Sequence, residues 1–308
     1  MAMTSPHIQS FFDEATGTFS YVLADTETGQ AAVIDPVLDF DPKSGSLTSA
    51  SSDRVLDHIR KHHWQVQWIL ETHAHADHLS GAQHIRHHAG GRIAISAAIC
   101  QVQKIFRTVF RFERDFLPDG SQFDCLLEDG QVLQLGRLSV TALSVPGHTP
   151  ADMAFMVGDD IFVGDTLFMP DVGTARADFP GGDAVALFSS IGRILRLPLQ
   201  TRIHVCHDYP PAHRAPASMC TVAEQRAQNI HVRDGITQAQ FVEMRNQRDA
   251  SLAMPTLILP AVQVNVRAGR LPPAQSDGRT YLEVPVNAFL EDSGQAPDGV
   301  WQTKQALC

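Results

Sequence analysis

The 308-residue chain predicts an α+β fold, and two observations carry that expectation. Short strand-like runs punctuated by turn residues fall into two separate meanders. Segments with helical spacing of apolar residues lie between and after them. The 44% hydrophobic content is that of an ordinary globule with a sizeable core.

The first meander is residues 8–12, 19–24 and 31–34, separated by Thr16-Gly17 and Thr28-Gly29. Asp35-Pro36 ends it, and residues 39–52, rich in Ser, Asp and Pro, read as a polar loop. Ser52 or Asp53 is the expected cap of a helix running to about residue 63, with Val55, Leu56 and Ile59 as its core stripe. His58, His62 and His63 belong to the outer side of that helix. Residues 66–70 read as the end of a buried strand, and residues 79–89 as a helix on Leu79, Ala82 and Ile85, with His84, His87 and His88 on its polar face. A strand at 92–96 and a helix at 101–112, striped by Val102, Ile105, Phe106 and Val109, come next. Strands at 132–135 and 138–143, set off by Asp129-Gly130 and Gly136, open the second meander. Residues 153–157 and 161–163 flank the turn Gly158-Asp159-Asp160. A helix over 183–197 stops at Pro198, a strand covers 203–206, and two helices cover 222–231 and 238–250. From Thr256 short apolar runs alternate with Pro and Gly, and the tail after Asp292 is expected to be poorly ordered.

Lys and Arg total 24 against 34 Asp and Glu, a net charge of −10 that disfavours nucleic acid or an anionic membrane as partner. No 18-residue apolar span exists and the N-terminus lacks a charged-then-apolar signal pattern, so a cytoplasmic protein is expected. Five cysteines, Cys100, Cys125, Cys206, Cys220 and Cys308, form no C-x-x-C pair, which argues against a disulfide framework or a zinc knuckle. Alternation along its strand points Cys206 to the face opposite its neighbour His207. Cys308, being terminal, is expected to be exposed.

The chemistry concentrates in His73-Ala74-His75-Ala76-Asp77-His78, on a strand-to-helix turn where side chains can converge in front of a sheet. Imidazole and carboxylate are the ligands of Zn, Mn and Fe sites. His148 in Val145-Pro146-Gly147-His148, Asp165 in Val163-Gly164-Asp165-Thr166, and His207 in Cys206-His207-Asp208-Tyr209 each follow an apolar strand-like run. Alone, a strand-end His or Asp is more often structural. In this order they resemble the five-motif signature of the metallo-β-lactamase superfamily. That resemblance implies an αββα sandwich, two mixed sheets flanked by helices, with a metal site at one edge between the sheets. It places the catalytic domain at residues 1–250, with 251–308 as an extension packed on it.

Two further stretches narrow the resemblance: Asp171 to Gly182, containing Arg176, and Glu224 to Asn229 followed by Leu259 to Asn265. With His207-Asp208-Tyr209 they look like the persulfide dioxygenases, bacterial branch. The resemblance implies oxidation of glutathione persulfide by O₂ to sulfite and glutathione, as in sulfide detoxification, in a homo-oligomer, expected to be a dimer. It implies one Fe(II) per chain held by His73, His148 and Asp165, with His75, Asp77, His78 and His207 orienting water or substrate. Two His and one carboxylate are the ligand set of Fe(II) oxygenases, with open positions for substrate and O₂. Arg176 and Tyr209, close to ligand-bearing strand ends, are the expected substrate contacts, because a guanidinium can grip a carboxylate with two parallel hydrogen bonds; the alternative for Arg176 is a pair with Asp178 that braces its own loop. The rival is a glyoxalase-II-like thioester hydrolase, since all seven ligands of a dinuclear site are present and two metals could share Asp165. A catalytically silent sulfide or redox sensor is a third possibility, opposed by the intact ligand set.

Overall fold

A computed structural model describes residues 5–286; the tail after Asp292 and Cys308 lie outside the described residues. In chain order the elements are β1 (His7–Asp13), β2 (Thr18–Asp25), β3 (Gln30–Ile34), β4 (Val37–Asp41), β5 (Ser46–Thr48), α1 (Ala50–Lys61), β6 (Gln65–Leu70), β7 (Leu79–Ser80), α2 (Ala82–Ala89), β8 (Arg92–Ser96) and α3 (Ile99–Val109). The second half adds β9 (Cys125–Leu127), β10 (Val132–Leu135), β11 (Leu138–Ser144), β12 (Met153–Val157), β13 (Asp160–Phe162), α4 (Ala184–Leu195), β14 (Arg202–His204), β15 (Met219–Thr221), α5 (Val222–Gln228), α6 (Gln238–Asp249) and α7 (Ile258–Asn265). Strands order as β1-β2-β3-β6-β8-β9 in one mixed sheet and β10-β11-β12-β13-β14-β15 in the other, with a small β5-β4-β7 sheet beside them.

Alternation along β2 divides its side chains between two cores, because successive residues of a strand face opposite ways. Tyr21 and Leu23 point between the sheets, joining Ala32, Ile34, Phe155 and Ile203. Val22 and Ala24 point outward, under Val55, Leu56 and Ile59 of α1 and Phe106 of α3. Helix α4 closes the other side of the sandwich through Leu187, Ile191 and Ile194. The αββα layering is therefore the observed architecture.

The sheets are stitched together along one edge. Phe19 donates its N–H to the Cys206 carbonyl at 2.7 Å, Asp208 to Gly17 at 3.0 Å, and Met153 to Thr72 at 2.8 Å. At this edge β6, β11, β13 and β14 run out into the segments that carry the histidines and aspartates. Two glycines make the exits possible. Gly147, with φ 150°, lies so close to α4 that a Cβ would come within 2.3 Å of Leu187 Cα. Gly164, with φ 53°, lies against Thr72, whose Cβ a side chain there would meet at 2.8 Å. Each precedes a metal-capable residue, His148 and Asp165, at a backbone geometry that favours glycine.

Four local expectations are corrected. Residues 39–52 are not a polar loop: Leu38 and Phe40 alternate with Asp39 and Asp41 along β4, which turns back into β5. The cap of α1 is neither Ser52 nor Asp53. Asp39, from across the hairpin, accepts the Ser51 N–H at 3.0 Å and its hydroxyl at 2.7 Å. Leu79 and Ser80 pair with β4 rather than starting a helix, so α2 begins at Ala82. The apolar run near Pro260 is helix α7, which accommodates the proline in its first turn, where no backbone donor is required.

Candidate metal centre

His73, His148 and Asp165 bring one donor atom each within 4.8 Å of one another in a buried setting. His73 lies beside the Thr72 hydroxyl through Nδ1 at 3.0 Å. Its Nε2 is buried without a hydrogen-bond partner, 3.8 Å from Asp165 Oδ2. His148 donates Nδ1–H to the Arg176 carbonyl at 2.8 Å, and this acceptor fixes the tautomer. Its Nε2 is left with a lone pair, 3.6 Å from the same Oδ2. A buried nitrogen with no partner is costly, and a cation placed among these three atoms would satisfy it. Two imidazole nitrogens and one carboxylate oxygen fit a divalent transition metal.

The other four metal-capable residues converge on the same place but are mostly engaged. His207 contacts Asp165 Oδ1 through Nδ1 and Asp77 Oδ2 through Nε2, both at 2.6 Å. With protein charges alone, burial pulls its pKa down, and the two carboxylates, Asp165 foremost, override that and hold it well above the ordinary value. Burial pushes Asp165 and Asp77 up, but His207 draws both below the usual carboxylate range. His75 turns Nε2 to Asp35 at 3.1 Å, and despite burial its pKa is raised to about 10, chiefly by Asp35. His75 Nδ1 and His78 Nε2 remain buried without partners, and His75, Asp77 and His78 form a second convergent group.

Asp35, Asn265 and Glu71, whose Oε2 lies 3.5 Å from His75 Nε2, belong to the site's support and were not singled out individually from the sequence. Asp35 accepts the Thr72 N–H at 2.7 Å and its hydroxyl at 2.9 Å. Asn265, on α7, donates to the His75 and His78 carbonyls and accepts the Ser80 N–H, each at 2.8 Å. Cys206 does not face away: its sulfur lies within 4.8 Å of donor atoms of Asp165 and His207. Strand β14 ends at His204, so alternation does not extend to residue 206.

A cavity of about 600 Å³ opens over the cluster, lined by Asp77, His148 and Asp165 at one end. Phe40, Phe168, Phe179 and Leu252 form apolar walls. Tyr209 lines it too, half-exposed, its ring parallel to His207 at 5.9 Å. Arg176 also reaches this cavity, but its guanidinium is held by Asp178 at 2.6 and 2.7 Å and by the Ala253 carbonyl at 2.7 Å. Arg245 is likewise paired, with Asp249. Among the described residues, the third lining arginine, Arg248, makes no ion pair through its guanidinium.

Buried His231 accepts the Thr174 N–H through Nδ1 at 3.1 Å. Burial first, then Arg245 and Arg248, push its pKa down to about 4 from 6.5. An unfolded chain takes up this proton near pH 6.5 while the folded protein refuses it, so stability present above 6.5 is lost as pH falls toward 4. His231→Gln, which keeps an acceptor but cannot titrate, should flatten the fall in urea midpoint between pH 7 and pH 5. An unchanged slope would locate the effect in other histidines.

Residues 14–207 match the metallo-β-lactamase superfamily, and the chain belongs to it. A probable metallo-hydrolase of Burkholderia pseudomallei is 50% identical over 92% of this chain and 99% of its own length. Glyoxylase B2 of Dictyostelium discoideum is 43% identical over 91% and 97%. Human mitochondrial persulfide dioxygenase ETHE1 is 29% identical over 85% and 88%. The crystal structure of ETHE1 from Myxococcus xanthus superposes with a TM-score of 0.68 at 25% identity, covering 86% of this chain and all of that one. No described helix is long and apolar enough to cross a membrane.

Proposed function

We propose that this chain is a non-haem iron dioxygenase that oxidises glutathione persulfide: GSSH + O₂ + H₂O gives GSH and sulfurous acid, which ionises to sulfite. The supporting observation is the state of the donors. His73 Nε2 and His148 Nε2 are bare and face Asp165 Oδ2, whereas both nitrogens of His207 are taken by carboxylates. Three protein ligands of this kind leave positions free for a substrate sulfur and for O₂. Fe(II) would supply the redox chemistry that spin-forbidden O₂ requires and that redox-inert zinc lacks.

The protein's own part is positioning and exclusion. The Arg176 carbonyl holds His148 in its ligating tautomer. The apolar walls would pack against a bound molecule and displace water from it, and the cavity volume of about 600 Å³ falls within the roughly 300–1,000 Å³ of pockets that enclose small ligands. Acidic side chains lie at the metal end and Arg248 on the α6 wall, which suits a molecule with a soft sulfur at one end and a carboxylate at the other. Arg248→Ala is expected to raise KM for glutathione persulfide about fivefold, as for an exposed pair worth about 1 kcal/mol, with kcat unchanged. An equal fall in kcat would count against a binding role.

A second reading, a dinuclear thioester hydrolase, draws on the names of the Burkholderia and Dictyostelium relatives and on the unpartnered nitrogens of His75 and His78. Oxygen uptake by anaerobically purified, iron-loaded protein separates the two. Glutathione persulfide should consume O₂ and release sulfite one for one. No uptake, together with cleavage of S-lactoylglutathione, would replace the dioxygenase with the hydrolase.

A further inference from the structure

Helix α6 follows the superfamily match, which ends at residue 207, yet it is tied to the metal centre. Its Arg245 and Asp249 are 2% and 5% exposed. Arg245 pairs with Asp249 Oδ1 through Nε at 2.9 Å and Nη2 at 2.7 Å. Each partner then takes one backbone group of the same short segment. Arg245 Nη1 donates to the Thr174 carbonyl at 3.2 Å, and Asp249 Oδ2 accepts the Ala177 N–H at 2.9 Å. Between these two anchors lies Arg176, whose carbonyl accepts the Nδ1–H of His148.

Stability alone does not explain such a pair. Burying two charges incurs a desolvation cost that their attraction barely offsets, and apolar residues of similar volume often serve as well. An apolar pair could not hold a carbonyl and an N–H three residues apart at once. We propose that Arg245 and Asp249 are positioning residues for the metal centre, setting the aim of His148 through the Arg176 carbonyl. The inference rests on the metal-centre part of the proposed function and is independent of the substrate.

The test uses Co(II) in place of the native metal, with affinity measured by chelator competition and ligand geometry by visible absorption. The swap Arg245→Met with Asp249→Leu removes the pair without leaving a lone buried charge. It should weaken Co(II) binding about 10–100-fold, as when a hydrogen-bond partner of a ligating histidine is lost, and shift the absorption bands. Phe241→Ala loosens the same helix away from this segment. It should lower Tm with affinity and bands unchanged. If the paired swap leaves both unchanged, whatever its Tm, the positioning role is overturned. If the swap does not fold, Asp249→Asn, which keeps an acceptor for Ala177 but drops the charge, is measured in its place. It should show a smaller band shift and a smaller loss of affinity than the paired swap, and no change in either overturns the proposal. His148→Ala must lose the wild-type bands; if it keeps them, the metal-centre reading fails and takes this inference with it.

Discussion

His73→Ala and Asp165→Ala should each purify almost free of metal and without turnover, while His207→Ala keeps most of its metal. His73 supplies a bare, buried nitrogen and Asp165 the oxygen that faces both imidazoles. If these three residues are the ligands, as proposed, removing one takes away a large share of the binding energy. His207 acts one bond further out, holding Asp165 Oδ1 at 2.6 Å. Losing a contact of that kind weakens affinity or rate by about 10–100-fold. Elemental analysis of the three variants beside the parent decides the matter. Two equivalents in the parent, falling to one in His207→Ala, would show a dinuclear centre and favour the hydrolase.

Asn265→Leu is expected to be the most damaging change remote from the metal donors. It would strip three buried backbone groups, the carbonyls of His75 and His78 and the N–H of Ser80, of their partners. A buried polar group left unsatisfied costs about 1–3 kcal/mol. The combined loss, on the order of 4 kcal/mol, is a large part of the roughly 5–15 kcal/mol that keeps a protein folded. Gln83→Leu, which removes one bond to the Ala268 carbonyl, serves as the measure of an ordinary loss. Urea denaturation that finds both variants equally stable would mean that α7 does not clamp the metal turn.

Most strands were legible because both sheets are fed by short apolar runs bounded by glycine turns, and β8, β10 and β12 end where those runs end. The β4–β5 hairpin was obscured because its alternation is half acidic and sits among Ser and Pro. Helix α7 was obscured because Pro260 and its β-branched neighbours argue against a helix when read without their position in the first turn. Within the site, the metal-capable residues stand out by spacing and residue type. Their supports do not. Asp35 reaches His75 across 40 residues, and Asn265 reaches the His75 carbonyl across 190, so no local pattern announces either. In the arginine-rich wall the legibility was mixed: Asp178, two residues on, already offered itself as a brace for Arg176 and does hold it, whereas the pairing of Arg245 with Asp249, which leaves Arg248 as the arginine without an ion pair, is revealed only by packing.

The seam between the sheets would give a metal held there a second significance. His73 hangs from the first sheet, while His148 and Asp165 hang from the second, and the seam that joins the sheets links residues as far as 189 apart, as at Thr18 and His207. Such long-range closures carry a loop-closure entropy cost that the contacts themselves must offset. A cation bound by all three would therefore act as a rivet across the sandwich. At a thousand times its dissociation constant it would add about 4 kcal/mol to the folded state. Cells short of that metal would then lose the protein itself to unfolding and proteolysis, and its abundance would track metal supply even with transcription held constant.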